Sequence, residues 1–443
     1  MYDRLFTTPE IAQVFSAGGL IAKMLRFEWA LALALEQSKV IPDGVAASIQ
    51  LITLDDLDLD VISQQSARAG NLVIPFVSRL TALVAEKNVS LAAYVHYGAT
   101  SQDVLDTATI LQIREALAFL QSDLNATCAT LVPLIQSHSA TLLPGRTWLQ
   151  QGPPVTLGLK LAGWLDAFQR HRERLHEASA RCIRLQFGGA VGTLAALGDS
   201  GPLVTSCLAH VLDLPEPALP WHTHRDRLSE LATTLGMITG TLGKIGRDIS
   251  LLMQTEVAEV FEPAQQGRGG SSTMPHKHNP VSSSVMLAAA MRVPALVATM
   301  LSSMVQEHER GLGCWQAEWE TLPEIFRLAS GSLRAAREAI SGLAVDTNAM
   351  RQNMDINGGI AFSEAVAFVL APKIGKSQAH HLLELVTRTA LEQHLSFREA
   401  LLLSADIRAH LSIAEVDQAL DPRRYLGSTR NFIDDVLARE EKN

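Results

Sequence analysis

Apolar residues recur at steps of three and four through the middle of the chain. Ile110, Ile113, Leu117, Leu120 and Leu124 form one stripe. Leu157, Leu161, Trp164, Phe168, His171, Leu175, Ala178 and Cys182 form a second. Leu228, Leu231, Leu235, Ile238, Leu242, Ile245, Ile249 and Leu252 form a third. This spacing puts apolar side chains on one helical face, and its persistence predicts long helices packed nearly parallel or antiparallel. Residues 18–37, rich in Ala and Leu around Glu28 and Trp29, read as an earlier helix closed by the turn Pro42-Asp-Gly. Residues 281–305 and 320–345 read as further helices. From Asn357 the chain reads as shorter helices punctuated by Pro372, Pro422 and Gly427. The pattern predicts an all-α fold of three helical domains: residues 1–105, a central long-helix bundle over 106–350, and residues 351–443. Long helices with little between them do not close a core alone, so the bundle is expected to complete it with other copies of the chain. His171, on a stripe, reads as a packed or interface residue.

Composition narrows the function. Of 443 residues, 47% are hydrophobic and 19% charged, which fits a large core or a buried subunit interface. A net charge of -9 argues against nucleic acid as a partner, because phosphate binding needs a basic face. It leaves room for a small anion held by a local Arg/Lys cluster. The four cysteines, Cys128, Cys182, Cys207 and Cys314, show no CxxC spacing and read as free thiols of a reducing compartment. The opening Met-Tyr-Asp-Arg-Leu-Phe lacks a basic region followed by an apolar run, and no apolar run is long enough to span a membrane. These features predict a cytoplasmic protein with no membrane partner. The acidic run 55–60 reads as a solvated helix start, since the glycine and terminal glutamate of a calcium loop are absent.

Candidate chemistry sits in polar stretches between helices. Gly267-Arg-Gly-Gly-Ser-Ser-Thr-Met-Pro-His-Lys-His-Asn-Pro280 combines backbone freedom with hydroxyls (Ser271, Ser272, Thr273) and donors (His276, Lys277, His278, Asn279). It suits closure over a small anion, and it is not a P-loop, because no Lys-Ser/Thr follows the glycines at the required offset. Val95-His-Tyr-Gly-Ala-Thr-Ser-Gln-Asp103 gathers His96, Thr100, Ser101 and Asp103 before a long helix. Ser101 or Asp103 serves there as a simple helix cap, or the hydroxyls at the helix N-terminus hold a carboxylate with the dipole helping. Leu143 to Thr156 reads as a Pro/Gly-framed loop carrying Arg146, Thr147, Trp148, Gln150 and Gln151. Phe187-Gly-Gly-Ala-Val-Gly192 is a small-residue turn without the strand–helix alternation of a dinucleotide fold. His308, Glu309, Arg310 and Glu320 either line a site or form a salt-bridge network.

No Cys/His metal set and no Gly-x-Ser-x-Gly elbow appears in the sequence. The available groups suit proton transfer beside a carboxylate. Such chemistry builds a doubly charged enolate-like species that needs preplaced positive charge and amide donors, which Lys277 and Asn279 offer.

Gly270 to Pro280 resembles the signature of the fumarase/aspartase superfamily, and 95–103 resembles its first motif. The resemblance runs over nearly the whole chain. It implies a central helical bundle assembled as a homotetramer, with each active site shared by three subunits. It implies no metal or organic cofactor and a small tricarboxylate substrate. In the resemblance, Ser271 is the base, or the acid in reverse. Thr100 and Ser101 hold a carboxylate, His96 stands in the site, and Lys277 and Asn279 stabilise the intermediate. Arg146, Thr147, Trp148, Gln150, Ser272, Met274, His276 and Arg310 contact substrate. Superfamily lyases usually carry Gly-Arg-Thr-His in the second motif, where this chain has Gly145-Arg-Thr-Trp148. Trp cannot protonate a departing amine or alcohol, whereas a carboxylate leaves unaided because its conjugate acid has a pKa of roughly 4. The departure suggests a carboxylate leaving group. Gly145 to Gln151 and Phe187 to Gly192, with the signature, resemble a lactonising branch of the superfamily, which implies a role in protocatechuate degradation in which a substrate carboxylate adds across a conjugated double bond. His278 stands where many signatures carry Arg. The competing readings are a lyase of the adenylosuccinate or argininosuccinate type and a catalytically silent structural homologue, with a phosphate- or nucleotide-binding module behind them.

Overall fold

In the computed structural model the described residues are 2–263, 269–270, 273–274 and 277–442. The fold is all-α, as expected. The helices used below are α1 (Ala17–Gln37), α2 (Ser101–Ser137), α3 (Leu157–Cys182), α4 (Asp226–Leu252), α5 (Val281–Ser302) and α6 (Cys314–Ser341). The three apolar stripes fall on α2, α3 and α4, and every position named on them is buried. Here periodicity located the helices because burial on one face, rather than local propensity, stabilises long helices in a folded chain. His171 is buried on α3, with Nε2 2.8 Å from the Thr241 hydroxyl of α4.

The chain divides into two compact units. The first comprises Met1–Leu124, His171–Gly243 and Val285–Arg334; the second comprises Asn125–Arg170, Lys244–Ser284 and Ala335–Asn443. In the first unit, α1 begins at Ser16, whose hydroxyl caps the Gly19 amide at 2.9 Å. A buried ion network ties α2 and α6 to Arg225, the residue just before α4. Arg225 bonds Asp106 of α2 at 2.6 and 3.0 Å and Glu318 of α6 at 2.5 and 3.1 Å. Trp315 donates to the same Asp106 at 3.2 Å. Burial alone would lower the Arg225 pKa, but the two carboxylates outweigh it and hold the guanidinium charged. The Glu318 pKa is also raised, chiefly by burial, opposed by Arg225 and helped by Asp106. A cavity of about 450 Å³ lies over this network, lined by Leu20, Ile62, Trp315, Trp319 and the candidate residue Glu320 among others.

In the second unit, residues 142–156 form an antiparallel hairpin, where a loop is expected from the sequence. Strand β1 (Leu142–Thr147) pairs with β2 (Gln150–Thr156), in register from Leu142↔Thr156 to Thr147↔Gln150, with a bulge between Pro144 and Arg146. The prolines and glycines that hid these strands sit at the bulge, where ladder bonds are dispensable. The C-terminal part packs Ser363–Ile374 against Lys376–Glu392 around Val366, Leu370, Leu383, Phe397 and Leu401.

By length and composition α5 could cross a membrane, and only 28% of its most apolar window is buried within the chain. Its mid-helix Arg292 pairs with Glu324 of α6 at 2.5 Å, which suits a protein-packed or aqueous setting rather than lipid.

Candidate active site

Two groups of expected site residues form, one in each unit. In the first unit the organising group is the Asp103 carboxylate, fully buried in the first turn of α2. Oδ2 accepts the Thr100 amide at 3.0 Å and the Gly189 amide at 2.9 Å. Oδ1 accepts the Gly188 amide at 3.0 Å and faces His222 Nε2 at 2.8 Å, with the Gln186 amide at 3.3 Å. Asp103 is not the N-cap: it is the third residue of α2 and reaches back to the Thr100 amide, and the same carboxylate fastens the glycine turn 187–192 to the helix start. Gly188 is required there, because a Cβ would lie 2.7 Å from Pro220 and 2.9 Å from the His222 ring. Arg310 reaches the turn too, donating to the Ala190 carbonyl at 2.8 Å. His96, Thr100, Ser101 and Arg310 are thus gathered around one turn, with Thr100 and Ser101 half-buried at the α2 N-terminus, where the helix dipole favours an anion.

His96 has a left-handed backbone (φ 60°), two residues before Gly98 (φ 76°). Its Nδ1 lies 2.6 Å from Oε1 of Glu28, a buried carboxylate in the middle of α1. Burial pulls the imidazole pKa down. The Glu28 charge and hydrogen bond, helped by Asp103, overcome that and leave it above the usual value.

The hairpin dominates the second unit. Trp148 and Leu149 form its two-residue turn, both left-handed (φ 51° and 65°), the pattern of a type I′ turn. They project into solvent at 96% and 82% exposure, and Thr147 and Gln150 beside them are exposed. Arg146 is anchored rather than free: its terminal nitrogens donate to the two oxygens of buried Glu259 at 2.9 and 2.5 Å. Asn353 completes the anchor, donating to Glu259 at 2.8 Å and to the Val257 carbonyl at 2.7 Å. Gln151 binds the Asn353 carbonyl and accepts from Asn357 at 3.1 Å. Lys160, on the first turn of α3, has its pKa lowered, chiefly by burial.

The signature stretch closes on itself where it is described. The Asn279 amide donates to the Gly269 carbonyl at 2.8 Å, and Gly270 bridges His278. Gly269 (φ 70°) admits no side chain, since a Cβ would lie 2.9 Å from the Asn279 carbonyl. Lys277 and Met274 are exposed and Asn279 half-buried. Glu262 holds the exit from this stretch, accepting the Ser282 and Ser283 amides at 2.8 and 2.7 Å at the start of α5. Ser271, Ser272 and His276 lie outside the described residues. Among the described residues no three His, Cys, Asp or Glu side chains cluster as metal ligands would.

Sequence reading passed over Glu259, Glu262, Asn353 and His222 as well as the pairing role of Glu28. Only Glu28 carried a local signal, a carboxylate within an apolar helical run.

Comparison with known proteins places the chain in a family. The family model described as lyase matches residues 7–295, and the one described as adenylosuccinate lyase C-terminus matches 359–436. The 3-carboxy-cis,cis-muconate cycloisomerase of Pseudomonas aeruginosa is 49% identical over 99% of this chain and 96% of its own length. That of Acinetobacter baylyi is 44% identical over 99% of this chain and 98% of its own. The crystal structure of 3-carboxy-cis,cis-muconate lactonizing enzyme from Pseudomonas putida superposes with a TM-score of 0.95 at 45% identity, covering 100% of this chain and 99% of that one. Matched in this way along its whole length, the chain belongs to the lyase family of the fumarase/aspartase type, alongside the 3-carboxy-cis,cis-muconate cycloisomerases.

Proposed function

We propose that the chain is a 3-carboxy-cis,cis-muconate cycloisomerase, acting without a cofactor in protocatechuate degradation. The observation that carries the reading is Trp148. It occupies the tip of an anchored, projecting hairpin, where the superfamily lyases place a proton-donating His, and it has no acid–base chemistry to offer. Relatives near half identity bear the same activity in their names.

In this reading Thr100, Ser101 and His96 receive one carboxylate of the tricarboxylate, and Arg310 stands nearby. Arg146, fixed by Glu259, holds rigid the hairpin that carries Thr147, Trp148 and Gln150 to the substrate. A second substrate carboxylate attacks the conjugated double bond, forming a C–O bond. The displaced electron pair moves onto the neighbouring carboxylate as an enolate-like dianion, which Lys277 and Asn279 stabilise. Ser271 then delivers a proton to carbon and regains one from solvent, so the trianion takes up one proton and becomes the lactone dianion. Ser272, Met274 and His276 complete the closing stretch.

The chain works as a homo-oligomer, a tetramer with shared sites in the superfamily pattern. Supporting this, α5 is apolar yet little buried, and Met291 and Val305 are 81% and 78% exposed on the single chain. The four cysteines, all free, suit a reducing cytoplasm.

The test is ultraviolet absorbance of purified protein with 3-carboxy-cis,cis-muconate in the presence of a chelator. Lactonisation shortens the conjugated system, so a fast, chelator-insensitive fall is expected. No change would sink the reading and turn attention to adenylosuccinate and argininosuccinate. Inactivity on those substrates too would leave a structural homologue.

A further inference from the structure

Burying a lone carboxylate in the apolar face of a helix is costly unless its oxygens are paired. Glu28 is 1% exposed on α1, among the buried side chains of Met24, Phe27, Leu31 and Leu35. Its Oε1 meets His96 Nδ1, while its Oε2 is buried without a hydrogen-bond partner among the described residues. In the Arg225 network, by contrast, both oxygens of Asp106 and of Glu318 are bonded. A group kept only for stability would be expected to resemble that network. The second cost falls on the same ring, because a left-handed backbone is disfavoured for a residue with a side chain. Both costs serve to set one imidazole. Its Nδ1 is committed to Glu28, its Nε2 makes no hydrogen bond to a described residue, and the side chain is 19% exposed.

We propose that Glu28 is a positioning residue. Its carboxylate holds the ring as the imidazolium, with Nδ1–H donated to Oε1 and Nε2–H presented toward a substrate carboxylate held with Thr100 and Ser101 four and five residues along. The inference rests on the lactonising reading for its substrate and adds the residue that sets the state of the ring. The charged groups acting on the imidazole are Glu28 from α1 and Asp103 from α2, and Asp103 is itself engaged by His222. Burial lowers the imidazole pKa, but these charges outweigh it and raise it, which extends to higher pH the range over which Nε2 carries a proton.

Glu28→Gln tests this with two readouts. The first is the titration of His96 in ligand-free protein, followed by NMR of selectively labelled histidine and assigned with His96→Gln. It should move to lower pH in Glu28→Gln, because the neutral amide keeps an acceptor but loses the charge. The second is kcat/KM for 3-carboxy-cis,cis-muconate, which should fall at least about fivefold more at about pH 8 than at about pH 6. In a His96→Gln background, Glu28→Gln should add no further pH-dependent loss. Where Gln at position 28 prevents folding, Glu28→Asp retracts the same charge and should also lower the His96 titration. An unchanged titration overturns the proposal, as does a uniform loss of kcat/KM across pH. The NMR result stands even if the protein is inactive on muconate, so failure of the lactonising reading is told apart from failure of this one.

Discussion

Replacing Asp103 by Asn changes one atom and should unfasten the turn 187–192. The carboxylate accepts five donors, two on Oδ2 and three on Oδ1. An amide group has only one oxygen. With its NH2 in the Oδ2 place, it faces the Thr100 and Gly189 N–H groups. With its NH2 in the Oδ1 place, it faces the Gly188 N–H and the Gln186 amide, while His222 can change tautomer. Each orientation strands at least two donors in a site with no solvent exposure, so no screening softens the loss. Hydrogen bonds to a charged acceptor contribute roughly 1.5–3 kcal/mol each, which puts the local cost at about 3–6 kcal/mol. At about 1.4 kcal/mol per decade, amide exchange in the turn should quicken by more than about a hundredfold. The assay is hydrogen–deuterium exchange of the peptide spanning 185–192, with the Lys376–Glu392 helix as an internal control. Exchange within about threefold of the parent would refute the idea that Asp103 holds this turn.

Other expectations follow from the same geometry. Arg225→Met leaves two buried carboxylates unpaired and should lower unfolding stability by about 3–5 kcal/mol in urea, whereas Glu318→Gln, which leaves the Asp106–Arg225 pair balanced, should cost less. Because the Glu318 pKa is raised on folding, the folded protein binds the extra proton just above the ordinary carboxylate range. Stability should therefore decline as pH rises through that window, and Glu318→Gln should flatten the decline in urea titrations. Burial pushes the Cys182 thiol up to about 12, so labelling with a thiol reagent near neutral pH should spare it until the protein unfolds. Trp148→His should leave the melting temperature nearly unchanged while lowering lactonisation, since the side chain packs on nothing within the chain; a large drop in melting temperature would count against that.

The helices were legible because each stripe repeats its apolar step for many turns, and that regularity is what burial on one face selects. The hairpin was not. Leu-Leu-Pro-Gly-Arg-Thr reads as a loop by composition, and it pairs as a strand because Glu259 and Asn353, more than a hundred residues on, grip Arg146 and Gln151. The turn at the start of α2 was half legible. Thr100, Ser101 and Asp103 announced a helix start, but nothing local could disclose that Asp103 reaches the Gly188 and Gly189 amides. Glu28 was visible as an oddity in an apolar run, and its meaning needed His96, 68 residues away.

The exposed two-residue turn at Trp148 has a consequence for how such enzymes diversify. A residue at the tip of a hairpin owes nothing to the core, so its replacement is not vetoed by stability. His, moreover, tolerates a left-handed backbone better than Trp. A proton donor can be gained or discarded there by changing a single codon, while Glu259 and Asn353 keep the arm aimed at the same place. The tip can therefore vary independently of the buried groups that shape the start of α2.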